Sequence, residues 1–189
     1  MWTLPNVLSF FRIAIIPVLV YLLTLTGPLA SALAALLFLI ASLTDYFDGY
    51  LARRHHLVSD LGKILDPLAD KLMILAALIM LAAMNRPGEP SVPAWLVVVI
   101  VARETAVTVL RGIALSEGIV IEAEDLGKYK FVLQAFAIFA LLLHYPYLGI
   151  DFYLAGMYFL LLSTVFAVWS GVNYYVKFFG LQRRISAKS

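Results

Sequence analysis

The sequence predicts an all-α, polytopic membrane protein of six transmembrane helices preceded by a short N-terminal interfacial helix, and three observations lead there. Of 189 residues, 63% are hydrophobic and only 14% charged, with a mean hydropathy of +0.94, well outside the mix of a soluble domain. One spanning helix needs about 20 mostly apolar residues, and the apolar runs divide into six such stretches with little left over. The basic residues gather on alternate connections, as an even number of spans with both ends on one side requires. Residues 1–189 therefore read as a single membrane domain, with 1–12 interfacial, 12–178 spanning and 179–189 a cytoplasmic tail.

Residues 2–12, W-T-L-P-N-V-L-S-F-F-R, mix aromatics with Asn6, Ser9 and Arg12 and read as the interfacial helix. Span one follows at about 12–26 and ends at the Gly27-Pro28 pair. Span two, at about 29–53, carries S-A-L-A-A-L-L, whose small residues let helices approach closely. Span three, at about 62–84, stops at N-R-P-G-E-P, where proline and glycine mark a non-cytoplasmic turn. Spans four, five and six follow at about 94–116, 127–146 and 150–178, with His144-Tyr145-Pro146-Tyr147 an aromatic interface between the last two. The chain contains neither an internal repeat nor a low-complexity segment.

Arg53, Arg54 and Lys63 lie between spans two and three, and Arg111, Lys128 and Lys130 between four and five. Lys177, Arg183, Arg184 and Lys188 close the chain, whereas the opposite connections carry only Arg86. The positive-inside rule then puts both termini and the connection after span two in the cytoplasm, in an inner or plasma membrane. Cysteine is absent, which excludes disulfides and thiolate ligands and favours hard cations at any metal site. The first residues lack a basic n-region and a small-residue cleavage site, so no removed signal peptide is expected.

Four aspartates, Asp45, Asp48, Asp66 and Asp70, interrupt this lipid-like sequence. Ionised carboxylates are costly away from water, so acids in such a setting mark ion paths, proton relays or catalytic sites. Asp45 and Asp48 are three apart, Asp66 and Asp70 four apart, so each pair shares a helix face. If the two helices are antiparallel neighbours, the carboxylates converge at the cytoplasmic end, and protons or about two divalent cations must offset their repulsion. Gly49 and Gly62 remove side chains where a bulky substrate or a neighbouring helix would approach. Ala52 lies a turn beyond Asp48, and Arg53 brings the planar fork that suits phosphate. Pro67 lacks an amide hydrogen, so the third helix either starts near an N-capping Asp66 or kinks there. The purely structural alternative pairs the acids with Arg53, Arg54, Lys63 and Lys71, and it needs no glycine at fixed places. His55 and His56, adjacent in a basic loop, read as solvated or lipid-facing residues instead of ligands.

The pattern D-x2-D-G-x2-A-R-x8-G-x3-D-x3-D, filled by Asp45, Asp48, Gly49, Ala52, Arg53, Gly62, Asp66 and Asp70, resembles without departure the signature of the CDP-alcohol phosphotransferase family. The resemblance implies six transmembrane helices, usually in a homodimer, and transfer of a phosphatidyl or related group from a CDP-linked donor to an alcohol with release of CMP. It also implies two divalent cations, Mg or Mn, on Asp45, Asp48 and Asp66, with Asp70 a further ligand or the general base. CDP-diacylglycerol would lie near Thr44, Gly49, Ala52, Arg53 and Gly62, its tails running between helices among membrane lipids.

Other stretches resemble a bacterial branch of that family whose acceptor is sn-glycerol 3-phosphate. They are L-P-N-V-L-S-F-F-R with Pro17, D-P-L-A-D-K-L-M, V-A-R-E-T-A-V-T-V-L-R, L-G-K-Y-K with Gln134, and W-S-G-V-N-Y-Y. A phosphomonoester acceptor carries about two negative charges at neutral pH, and Arg103, Arg111, Lys128 and Lys130 are the cations available to it. Arg103 and Arg111 are eight apart and share a face, and Arg103, deep in V-V-V-I-V-A-R-E, has Glu104 beside it as a partner. Membrane topology alone is the competing account of these four cations. Other acceptors open to the family are phosphatidylglycerol, giving cardiolipin, and serine or inositol phosphate. A cation transporter is the reading from a different class, but the acids gather at one end instead of the midplane and no discontinuous helix pair repeats. No nucleic-acid partner is expected.

Overall fold

The computed structural model describes the backbone of residues 4–55, 60–84, 91–118, 125–145 and 149–186, with side chains described there except at 4–6, 8, 45–55, 60–67, 125–128 and 183–186. Among the described residues the chain forms six helices: α1 (Leu4–Thr24), α2 (Pro28–His55), α3 (Asp60–Ala83), α4 (Ala94–Ser116), α5 (Asp125–Leu143) and α6 (Phe152–Ser186). The order, number and approximate bounds follow the sequence reading, and α4 matches it to the residue.

Four elements differ. No separate interfacial helix precedes span one, because α1 runs unbroken from Leu4 through Arg12 and Pro17 to Thr24. Arg12 does not mark an interface: it is buried and meets an acidic partner inside the bundle. The third helix already starts at Asp60, so Asp66 is not its N-cap and Pro67 lies within it. α5 stops three residues early, where His144 adopts a φ of +23°, and α6 runs eight residues further than expected.

Among the described residues α1 lies against both α2 and α3, and those two have no substantial direct contact. α5 packs on α6, α2 and α3, while α4 packs on α6 and α3. The main core joins Ile15, Leu19 and Leu23 of α1 with Ala34, Ala35 and Phe38 of α2 and Ala77, Leu78 and Leu81 of α3. Leu96 and Ile100 of α4, Ile138 and Leu141 of α5 and Leu160 of α6 complete it. The alanines of α2 in this core are small residues of the kind that let membrane helices approach closely. A second cluster, Val107, Leu110 and Ala114 with Tyr174 and Phe178, joins α4 to α6.

The connections after α1, α3 and α5 meet at one end of the bundle. Ser31 at the start of α2 donates through Oγ to the carbonyls of Leu142, at 2.5 Å, and Leu143, at 2.9 Å. The Tyr153 hydroxyl at the start of α6 donates to the Ser91 carbonyl, at 3.1 Å, just before α4. Gly27, with φ of +111°, makes the turn between α1 and α2 in a conformation that few other residues adopt. Helices therefore alternate in direction, and the ends carrying Asp70 and Arg111 lie opposite this one.

Among the described residues one helix, over Phe152–Gln182, is by itself long and apolar enough to cross a membrane. The apolar runs Ser9–Thr24, Pro28–Thr44 and Tyr129–Leu143 are shorter. Along α6, Leu154, Tyr158, Leu161, Val165, Val168 and Trp169 stand exposed.

α5 and α6 approach each other closely at Gly156. A Cβ there would sit 2.7 Å from Leu141 Cγ, 2.9 Å from the Leu141 backbone nitrogen and 3.1 Å from the Ala137 carbonyl. Gly156→Val must push the helices apart and should lower stability by about 1–3 kcal/mol, read as a lower unfolding midpoint in detergent. Gly180 has nothing within 4 Å of the same position, so Gly180→Ala should leave the midpoint unchanged or raise it. Equal losses in both variants would show that close approach is not the cause.

Candidate active site

Helix α2 is continuous through positions 45 and 48, and α3 through 66 and 70, so the registers that put each aspartate pair on one helix face hold. The side chains of Asp45, Asp48, Gly49, Ala52, Arg53, Gly62, Asp66 and Lys128 lie outside the described residues. Among the described residues no group of three histidines and acids forms a metal cluster, Asp70 being the one described aspartate of the four. Thr44, one residue before Asp45, donates through Oγ1 to the Ile40 carbonyl at 2.7 Å, bonding back along its own helix.

Asp70 is held from outside its helix. Its Oδ1 accepts a hydrogen bond from Nη1 of Arg12, which reaches across from α1. The next residue, Lys71, points to a different neighbour and donates to Thr108 Oγ1 on α4 at 2.5 Å. Thr108 in turn donates to the Glu104 carbonyl one turn earlier, at 2.7 Å. The aspartate-bearing turn of α3 is thus tied to α1 on one side and α4 on the other.

The Glu104 carboxylate is the second focus. Its Oε1 accepts from Arg103 Nη1, at 3.0 Å, and from Lys130 Nζ, which arrives from α5. Arg103 spends its other donors on α6: Nε on the Ala167 carbonyl at 2.8 Å, and Nη2 on Ser170 Oγ. Room for that side chain comes from Gly171, where a Cβ would stand 3.4 Å from Arg103 Cγ and 3.5 Å from its Nε. Arg111, two turns on, is exposed, with its guanidinium carbon 5.8 Å from the centre of the Tyr174 ring, within cation–π range. Gln134, one turn beyond Lys130 on α5, is buried and its amide nitrogen lacks a hydrogen-bond partner.

Of the four cations assigned to an acceptor, the structure brings Arg103 and Lys130 together on Glu104. It sets Arg111 on the same side of α4, toward α6. Lys71 lies within electrostatic reach of Asp70, Arg103, Glu104 and Arg111, which makes it part of the same cluster. Among the described residues Lys71, Arg103, Arg111 and Lys130 thus group with Glu104, and Asp70, bonded to Arg12, lies beside Lys71. A surplus of positive charge in a partly buried place attracts an anion with several oxygens.

Sequence reasoning missed Arg12 and gave Lys71 only a place in surface pairing. A signal for Arg12 exists: it is a lone charge in F-F-R-I-A-I-I, and a cation in such a run needs an internal partner. Two apolar grooves run between α4 and α6. One is about 610 Å³ and includes Trp95, Val99, Val165 and Trp169; the other is about 290 Å³ and reaches Arg103 and Tyr175.

Comparison with known proteins agrees with this chemistry. A protein of Bacillus subtilis named CDP-diacylglycerol–glycerol-3-phosphate 3-phosphatidyltransferase is 41% identical over 190 aligned positions, covering 94% of this chain and 95% of that protein. A Rickettsia bellii protein of the same name is 43% identical over 140 positions, covering 74% of this chain and 75% of that protein. A rice protein named cardiolipin synthase (CMP-forming) is 38% identical over 151 positions, which cover 74% of this chain and 45% of that protein. The family model described as CDP-alcohol phosphatidyltransferase matches residues 2–169, and this chain belongs to that family.

Proposed function

We propose that this protein transfers the phosphatidyl group of CDP-diacylglycerol to sn-glycerol 3-phosphate, giving phosphatidylglycerophosphate and CMP in phospholipid synthesis. The observation that carries this reading is the juxtaposition on α3: Asp70, last of the motif aspartates, is followed directly by Lys71, which joins the cation cluster of α4 and α5. An acid site for a pyrophosphate thereby adjoins a cationic site for a second phosphate. Relatives that carry this activity in their names align along most of the chain.

The donor set of Asp45, Asp48, Asp66 and Asp70, all oxygen and all anionic, fits two hard divalent cations, Mg or Mn. When bound, such ions neutralise the pyrophosphate and ease the departure of CMP. The chain's own residues do the rest. Thr44, Gly49, Ala52, Arg53 and Gly62 take the CDP end of the donor. Arg111 and Lys71 meet the acceptor phosphate at the open side of the cluster, Lys128 is assigned to the same phosphate, and Glu104 holds Arg103 and Lys130 in fixed positions. Asp70 accepts the proton of the acceptor's primary hydroxyl as its oxygen bonds to the phosphatidyl phosphorus and the bond from that phosphorus to the CMP oxygen breaks. Helices of 19 to 35 residues are long enough at about 1.5 Å per residue to cross a bilayer core of about 30 Å. We read all six as spans, with the active site and both termini cytoplasmic, in a homodimer.

The test is to supply purified protein with CDP-diacylglycerol and a panel of acceptors and to measure CMP release. Glycerol 3-phosphate should be the best acceptor. Phosphatidylglycerol is the second candidate, because of the rice relative named cardiolipin synthase; faster CMP release with it would replace the main reading. Arg111→Ala should raise the KM for glycerol 3-phosphate about tenfold or more with little change for the donor, since charge-assisted contacts hold only the acceptor. Arg103→Ala should act in the same direction by releasing Glu104 and Lys130. Equal weakening of donor and acceptor in both variants would leave these cations a role in topology alone.

A further inference from the structure

We propose that Arg12 is a positioning residue of the reaction, holding the Asp70 carboxylate from α1 in the orientation that serves the transfer. The inference rests on the role of Asp70 in the reading above. Arg12 is 1% exposed and, among the described residues, heads the fully buried side chains by size. It sits in an otherwise apolar stretch of α1, F-F-R-I-A-I-I. A guanidinium buried without an anion costs several kcal/mol, so this place in α1 calls for an acid, and among the described residues the acid it meets is the last of the four motif aspartates.

The geometry makes Arg12 more than a brace between helices. Asp70 is 23% exposed against 1% for Arg12, so the carboxylate stands between the guanidinium and the open side of the site. Arg12 supports it from behind and stays clear of the substrates. The next residue, Lys71, is pulled toward α4 by Thr108, so this turn of α3 cannot roll away from Arg12 without breaking a second contact. Arg12 reaches Asp70 through one nitrogen of a planar guanidinium, which sets the direction of that N–H bond, whereas an ammonium offers a point charge, so the identity of the cation matters as well as its sign. A small misplacement of a reacting group costs about a hundredfold in rate.

The experiment uses the full-length protein in detergent as wild type, Arg12→Gln, Arg12→Lys, Asp70→Asn and the Arg12→Gln/Asp70→Asn pair. CMP release gives kcat and both KM values per folded molecule, and thermal unfolding without added metal gives a readout independent of turnover. Arg12→Gln should lower kcat about a hundredfold with both KM values within about threefold of wild type, and Arg12→Lys should recover about tenfold of the loss. On the Asp70→Asn background Arg12→Gln should cost less than about threefold more, and the unfolding losses of the two single variants should not add. Losses that add in both kcat and unfolding midpoint, or Arg12 variants within about threefold of wild-type kcat, would overturn the proposal. If Arg12→Gln does not fold, Arg12→Lys decides alone: a tenfold fall in kcat with unchanged KM values supports it, and near wild-type kcat sinks it. Failure of the underlying reading looks different, because then the wild type itself releases no CMP from this substrate pair.

Discussion

Asp45→Asn, Asp48→Asn and Asp66→Asn should each lower CMP release by about a thousandfold or more while leaving a folded, membrane-extracted protein. Each change keeps the side chain's shape and removes one anionic oxygen donor. Losing several kcal/mol of charge stabilisation at a pyrophosphate corresponds to about that factor in rate. Folding should survive, because fewer like charges then crowd the ends of α2 and α3, so self-repulsion falls instead of rising. Size-exclusion behaviour and the unfolding midpoint check the fold, and steady-state CMP release checks the chemistry. A chelator in excess should silence the wild type, with Mg or Mn restoring it. Near-normal turnover in any one variant removes that aspartate from the metal set, and full wild-type activity in chelator removes the metals themselves.

The parts of the molecule legible in its sequence are those governed by local rules. α4 could be bounded to the residue because Pro93 precedes it and Gly118, with a φ of +71°, follows it, and both act through their own backbone. The aspartate registers needed only the period of a helix. What stayed illegible was pairing over distance. Arg12 and Asp70 are 58 residues apart, and Lys130 and Glu104 are 26 apart. No local pattern says which helix faces which. Hence Arg12 read as an interface marker when it is an internal cation, and no local pattern announced that α1 lies against both α2 and α3. Arg103 and Glu104 could be paired from sequence because they are adjacent, but the α6 partners of Arg103, Ala167 and Ser170, could not.

Asp70→Asn should lower kcat by about a hundredfold to ten-thousandfold, the range that general acid–base groups supply, while the KM for CDP-diacylglycerol stays within a few-fold. A base that takes the acceptor's proton only as the new bond forms contributes in the transition state and hardly at all to donor binding. The guanidinium of Arg12 bonds to this carboxylate, and any bound cation would stand close by, so its other role is as a further metal ligand. The two roles separate on metal dependence. A base variant should need the same Mg or Mn concentration for half-maximal rate as the wild type, only with a lower ceiling. A ligand variant should need much more metal and recover much of its rate once supplied with it. A low ceiling that no metal concentration lifts makes Asp70 the base, and recovery at high metal makes it chiefly a ligand. An unchanged kcat at ordinary metal concentration would remove Asp70 from the chemistry and leave its bond to Arg12 as a tie between α1 and α3.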